Sequence, residues 1–278
     1  MNTFLIANEP FIRIACFSGF FFIIALWEVA APRRPLHYSK GIRWTSNLAV
    51  SFFNSFLLRA LFPVLAVELA MLAQERTWGL LNYFILPEWI ASILSVVLLD
   101  LVIYLQHVLF HAVPALWRLH RMHHTDLDYD VTTAARFHPI EILLSMIIKL
   151  VVVAALGPPP VAVLIFEILL NGTAMFNHGN ILIPVKLDLF LRLAVVTPDM
   201  HRVHHSMIPR ETNSNYGFNL PWWDRLFGTY CDQPRLGHEK MTLGIETFRA
   251  PRYLKFHWLL LQPFLMPSGE SSDSYHRR

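Results

Sequence analysis

Residues 90–124 read IASILSVVLLDLVIYLQHVLFHAVPALWRLHRMHH, and this stretch decides the fold of the chain. A run of about 20 apolar residues is long enough to cross a bilayer as one helix. Here the run passes directly into histidines, and Pro114 then stands where a new helix can begin. We therefore expect a membrane-spanning helix that ends near His111, followed by a helix that carries the pattern H-x-x-H-H at 120–124.

Four other apolar stretches accompany this one, at roughly 11–31, 48–73, 140–156 and 161–176. Apolar residues make up 54% of the chain and charged residues only 15%, whereas about a quarter of the residues of a soluble domain are charged. The last two stretches are short and meet at Gly157-Pro158-Pro159-Pro160, which indicates a hairpin that either spans the bilayer or re-enters one leaflet. The composition predicts an all-α fold of about four to five membrane helices.

Lysine and arginine are distributed unevenly over the connecting segments. The segment between the first two apolar stretches contains Arg33, Arg34, Lys40 and Arg43, whereas the next contains only Arg76. Because basic residues tend to remain on the cytoplasmic side, we expect the N-terminus outside and residues 111–139 and 177–278 in the cytoplasm. The histidines would then belong to a helical cap on the cytoplasmic face.

Several classes of protein do not fit this sequence. The net charge of +3 is not gathered into the basic stripe expected of a nucleic-acid binder. The two cysteines, Cys16 and Cys231, form no Cys-x-x-Cys pair, which argues against a thiolate metal site and a disulfide framework. Residues 1–10 contain no basic residue, so the first apolar stretch is expected to be a retained anchor rather than a cleaved signal.

Ten of the 14 histidines lie between positions 107 and 205, and most of them form three short motifs. The motifs are His107 and His111; His120, His123 and His124; and His201, His204 and His205, while His138 and His178 stand alone. Residues three or four apart lie on the same face of a helix. Each motif is therefore expected to direct two or three imidazoles toward one point. The capping sequence Thr197-Pro198-Asp199 supports a helix at the third motif.

These ten histidines are more than one metal ion can use. A first-row ion takes about four to six ligands, and an open position for substrate or oxygen lowers the protein's share. We therefore predict two metal ions, with all ten as candidate ligands. Imidazole suits iron, zinc, copper or nickel, so the ligand type leaves the metal open. Six acids near the motifs are candidates to orient the imidazole rings; the alternative is that they are helix caps or solvated charges. They are Asp126, Asp128, Asp130, Glu141, Asp199 and Asp224.

The order of the motifs resembles that of the fatty acid hydroxylase/sterol desaturase superfamily. It runs HVLFH, HRMHH, a helical hairpin, NHGN and HRVHH. Three further segments agree: Arg43-Trp44 with Asn47-Leu48, Thr133-Ala134-Ala135-Arg136, and Asn215-Tyr216-Gly217 followed by 223–229. The nearest branch contains alkylglycerol monooxygenase and bacterial sterol desaturase family proteins. The chain departs from that monooxygenase at Ala112, where the enzyme has a glutamate. Some members of the superfamily have a second histidine near His178, and His138 is a candidate to replace it.

The resemblance implies a function and a division of the chain. Members are membrane proteins whose cytosolic histidines hold two iron ions, with zinc as a possible substitute in isolated protein. They use O2 to hydroxylate or desaturate lipids such as sterols, fatty acyl chains or ether lipids. We accordingly expect anchor helices at 1–89, a catalytic domain at 90–235, and an extension at 236–278 with a disordered tail at 268–278.

Two further expectations concern electrons and the alternative function. No G-x-G-x-x-G motif occurs, so electrons should come from a separate donor such as a ferredoxin, a cytochrome b5-like protein or another reductase system. The alternative is a membrane protein that binds or transports metal ions. A transporter places its ligands near the bilayer midplane, whereas these histidines stand at or beyond the ends of the predicted spans.

Overall fold

The computed structural model describes residues 2–266, so His276 and the tail predicted at 268–278 lie outside the described residues. The described chain is helical and contains no β-strand, which confirms the predicted all-α class. In chain order the α-helices are α1 Asn2–Ala7, α2 Glu9–Ala30, α3 Lys40–Leu61, α4 Ala66–Glu75, α5 Glu88–Ala112, α6 Pro114–His124, α7 Pro139–Leu156, α8 Pro160–Asn177, α9 Val185–Leu191, α10 Pro198–His204, α11 Pro209–Thr212, α12 Trp222–Leu226, α13 Gly237–Lys240 and α14 Phe256–Leu261. Short 3-10 helices lie at Leu80–Tyr83, Val131–Ala135, Pro251–Leu254 and Gln262–Phe264.

Five helical segments of the described chain are long and apolar enough to cross a membrane. They are Glu9–Ala30, Lys40–Tyr83, Glu88–Ala112, Pro139–Leu156 and Pro160–Asn177, and they coincide with the five apolar stretches of the sequence. The second segment is interrupted, since α3 ends at Leu61 and α4 begins at Ala66. Phe62 has an extended backbone (φ −112°, ψ 108°) because the ring of the following Pro63 disfavours helical geometry.

Helices α7 and α8 form the predicted hairpin. Each has 18 residues, a length of about 27 Å that nearly matches the hydrocarbon core of a bilayer. Gly157 follows α7 with φ 64°, a left-handed conformation that suits glycine. It lies against Trp78 and Gly79, between α4 and α5, so the turn is at the far end of the bundle from His138. The hairpin therefore runs the length of the bundle, and both of its helices are long and apolar enough to cross a membrane.

One end of each of the five spans lies in a single cap, which also contains the histidine motifs. Glu28, near the end of α2, accepts hydrogen bonds from the backbone N–H groups of Val131 (2.7 Å) and Asn180 (2.8 Å), which follow α6 and α8. Helix α3 begins in the same cap, where Arg43 contacts the segment after α6. The five helical segments therefore alternate in direction through the bundle, and all three histidine motifs lie on one side of it.

Arg43 joins α3 to the cap through a fully buried network of ion pairs. Its Nε and Nη2 lie 2.7 and 2.9 Å from the two carboxylate oxygens of Asp126, and its Nη1 lies 2.5 Å from Asp130. All three side chains are 0% exposed. Asp130 also caps the following 3-10 helix by accepting a hydrogen bond from the backbone of Thr132. This network fixes the segment that follows the second histidine motif.

Candidate metal centre

Nine histidines gather into two groups in the cap. Within each group, one ligand atom from every histidine lies within 4.8 Å of all the others. The first group is His107, His111, His120, His124 and His204, and the second is His123, His178, His201 and His205. All are buried except His111, which is partly exposed. Five and four imidazoles are each enough to hold one first-row metal ion, and two such sites fit the predicted pair of ions.

Each H-x-x-H-H motif is divided between the two groups. His120 and His124 belong to the first group, whereas His123 between them belongs to the second. In the last motif, His201 and His205 belong to the second group and His204 to the first. Two imidazoles of each motif therefore converge on one point, as expected, and the third is directed toward the other group. The reason is helical geometry, since adjacent residues point about 100° apart at 3.6 residues per turn.

Backbone carbonyl groups accept hydrogen bonds from three of the imidazoles. The Nδ1 atoms of His107, His204 and His178 each lie 2.7 Å from the carbonyl oxygens of Tyr216, Ser214 and Ala174, respectively. A carbonyl oxygen can only accept, so each Nδ1 carries the proton and each Nε2 presents its lone pair. These partners leave no signature in the sequence, because any residue has a carbonyl group.

Lone pairs that face each other in the first group fit a cation bound between them. His120 Nδ1 lies 2.6 Å from Glu141, which makes it the protonated nitrogen, and its Nε2 lies only 3.1 Å from the Nε2 of His107. Two unprotonated nitrogens at this distance repel each other unless a positive charge binds both. Four further Nε2 atoms are buried without a hydrogen-bond partner among the described residues, those of His111, His201, His204 and His205. The donor set therefore fits metal ions.

Burial keeps these imidazoles in the neutral form that binds metal. Desolvation lowers the pKa of His178 to about 4. It also lowers the pKa values of His123, His124, His201, His204 and His205 well below the ordinary value, and neighbouring imidazoles lower them further. Protons therefore do not compete with metal ions at neutral pH.

Glu141 is the acid that contacts a grouped histidine directly, through His120. The other five candidate acids support the cap instead. Asp126 and Asp130 pair with Arg43, Asp128 accepts from the backbone of His37 and Tyr38, and Asp199 pairs with Arg33 and Arg202. Asp224 accepts hydrogen bonds from the backbone of Tyr216 (2.8 Å) and Gly217 (2.9 Å), so it positions the carbonyl group that holds His107.

His138 lies apart from both groups. It caps α7, where its Nδ1 accepts a hydrogen bond from the backbone of Ile140, and its Nε2 donates to the carbonyl oxygen of Leu260, each at 3.2 Å. Both ring nitrogens are thus engaged with the backbone, which leaves neither free to bind a metal. The structure therefore brings together nine of the ten candidate ligands. His37, His238 and His257 also lie outside both groups.

A cavity of about 400 Å³ leads from the first histidine group into the membrane-spanning bundle. His107 and His120 line it, together with Phe110, Phe137 and Phe218. Helix α7 contributes Glu141, Ser145 and Lys149, which share one face because they are four residues apart. Glu141 and Lys149 are about 12 Å apart along the helix, so the cavity extends from the histidines well into the bundle.

Comparison with known proteins agrees with this arrangement. The family model described as Fatty acid hydroxylase matches residues 92–229, a segment that contains all nine grouped histidines. No solved structure matches the chain.

Several curated proteins are similar to the chain. An ornithine lipid hydroxylase of Rhizobium tropici is 33% identical over 179 residues, which cover 64% of this chain and 51% of that protein. Alkylglycerol monooxygenase of Homo sapiens is 29% identical over 192 residues, 66% of this chain and 40% of that protein. A methylsterol monooxygenase of Arabidopsis thaliana is 25% identical over 240 residues, 81% of this chain and 89% of that protein. The chain thus spans about half or less of the first two. Residues 92–229 are a fatty acid hydroxylase domain, and the chain belongs to the fatty acid hydroxylase/sterol desaturase superfamily.

Proposed function

We propose that the chain is a membrane-bound di-iron oxygenase that uses O2 and external electrons to hydroxylate or desaturate a C–H bond of a lipid. The cavity that runs from the membrane-spanning bundle to His107 and His120 carries this proposal, because it gives a lipid access to a candidate metal site. The relatives support it, since their names are those of lipid hydroxylases and monooxygenases.

The two histidine groups would each hold one iron ion, and zinc can take the same ligands in isolated protein. When bound, iron supplies the activation of dioxygen that no amino-acid side chain provides. The chain itself orients the ligands. Glu141 and the carbonyl groups of Tyr216, Ser214 and Ala174 fix the tautomer of the rings that they contact, as the hydrogen-bond partners of metal-binding histidines commonly do.

Aromatic side chains keep water from the histidines. Phe137 stacks on His123 with ring centroids 4.4 Å apart, and Phe218 lies 5.1 Å from the ring of His107. Both also line the cavity, so a lipid that enters would meet an apolar wall beside the histidines. Such a wall positions the reacting chain and limits the escape of reactive oxygen species into solvent.

The first test separates an oxygenase from a metal transporter. An oxygenase consumes O2 and reducing equivalents only when a suitable lipid is present, since the oxidant needs a C–H bond to attack. In proteoliposomes with host lipid extract, a reductase and its electron carrier, we expect oxygen uptake that stops when the metals are chelated. Mass spectrometry should find lipid that has gained one oxygen or lost two hydrogens. Metal flux across the bilayer without such uptake would favour the transporter.

We also propose that the cap faces the cytoplasm, on the basis of the charges that flank the spans. Two exposed positions at opposite ends of the bundle test this, Ile85 before α5 and Arg210 in α11. In a background with Cys16→Ser and Cys231→Ser, a cysteine at position 85 should react with an impermeant thiol reagent added outside cells. A cysteine at position 210 should react only after lysis. Labelling of position 210 in intact cells would reverse the orientation.

A further inference from the structure

Five charged side chains line the cavity deep among the membrane-spanning helices. They are Glu9 and Arg13 of α2, Arg59 of α3, Lys149 of α7 and Glu167 of α8. Charged residues are rare inside membrane spans, and those that occur face a cavity or a partner and mark paths for ligands or ions. Along α7, Lys149 is about 12 Å from Glu141, which lies at the histidine end of the cavity.

Four of the five charges neutralise one another. Arg13 pairs with both Glu9 and Glu167, and Lys149 Nζ lies 2.6 Å from Glu167. These contacts tie α2, α7 and α8 together. Two positive and two negative charges leave this part of the cluster with no net charge.

Arg59 carries the fifth charge and has no such counterion. It belongs to the second membrane-spanning segment, lines the cavity, and makes no hydrogen bond or ion pair with any described residue. Glu141 is the remaining carboxylate of the cavity wall, but it is bonded to His120 at the other end. Arg59 is exposed in the structure, so this end of the cavity has one accessible positive charge, on a candidate membrane-spanning segment, that no described side chain balances.

From this unbalanced charge we infer that the cavity binds a lipid with an anionic group, which Arg59 holds. A carboxylate and a phosphate both match a guanidinium group. The chain of the lipid would then extend toward His107 and His120, and the distance between anchor and histidines would set the carbon that is oxidised. This inference rests on the proposed oxygenase function and names its class of substrate.

Binding in the absence of electron donor tests the inference independently of turnover. The probes are oleate, oleoyl lysophosphatidate and neutral monooleoylglycerol, which share one acyl chain. We expect purified protein in nanodiscs to bind at least one anionic probe about tenfold or more tightly than the neutral one, because a charge-assisted contact contributes on that order. Preference for oleate would identify a carboxylate, and preference for lysophosphatidate a phosphate. Equal binding of all three would overturn the inference.

Arg59→Gln should abolish the preference while leaving binding of monooleoylglycerol unchanged. Its matched control is Arg76→Gln, which removes the same charge from an exposed position outside the cavity. Since Arg59 is exposed and makes no hydrogen bond or ion pair with a described residue, the melting temperature should not change. A preference that survives in Arg59→Gln would overturn the assignment.

Product analysis distinguishes failure of this inference from failure of the proposed function. With anionic lipids of different chain length, the oxidised carbon should remain at a fixed distance from the anionic group. Oxidation at a fixed distance from the methyl end, or equal turnover of neutral lipids, would overturn the anchor and leave the oxygenase in place. Anion-selective binding without any lipid-dependent oxygen uptake would instead contradict the oxygenase and retain the binding site.

Discussion

Replacement of His124 or His205 by alanine is expected to abolish lipid oxidation, and each change should remove a different metal ion. His124 belongs to the group of five histidines and His205 to the group of four. Purified wild-type protein should contain about two ions per chain, and each variant about one. Groups that only orient metal ligands commonly contribute about 10–100-fold to activity or metal affinity, so loss of a ligand itself should reduce activity by more than that.

Elemental analysis after anaerobic purification measures the metal, and oxygen uptake measures the activity. His257→Ala is the matched control, because His257 is exposed and belongs to neither group. It should keep both the metal content and the activity of the wild type. A wild-type content near zero or one ion would refute the two-metal proposal. Equal loss of both ions in each variant would show instead that the two groups bind metal as one unit.

Arg43→Met is expected to destabilise the folded protein by about 3–5 kcal/mol, the usual effect of removing one partner from a buried ion pair. The change leaves the carboxylates of Asp126 and Asp130 fully buried without their guanidinium partner. Burial opposes ionisation of Asp126, yet Arg43 and Arg136 lower its pKa to about 2. Its stabilising contribution is therefore present above the ordinary pKa of about 3.9, and it is lost as the pH falls toward 2.

Thermal unfolding in detergent, followed by circular dichroism, measures this effect. Arg210→Met is the control, since Arg210 is exposed, and its melting temperature should equal that of the wild type. Combining Arg43→Met with Asp126→Asn and Asp130→Asn removes the stranded charges and should recover part of the lost stability. A wild-type melting temperature for Arg43→Met alone would mean that this network contributes nothing to the fold.

The sequence by itself determined the helical class and the five apolar segments that are long enough to span a membrane. These properties follow from local features, such as the apolar run that ends at His111 and the proline that opens α6. It also identified nine of the histidines that lie together, because three- and four-residue spacing on a helix is a local property. His138 lies apart from both groups, and the sequence could not separate it from the others because a histidine that caps a helix and one that binds metal are the same residue in the sequence.

Only the tertiary structure decided how the imidazoles are shared between two sites. His107, His120 and His204 come from α5, α6 and α10, and their meeting depends on how these helices pack rather than on the spacing within any one of them. The same packing brings the carbonyl group of Tyr216 behind His107 and places Arg59 and Lys149 in the cavity that His107 lines. Helical periodicity fixes which residues share a face, but the residue that a face meets is fixed by contacts between segments far apart in the chain.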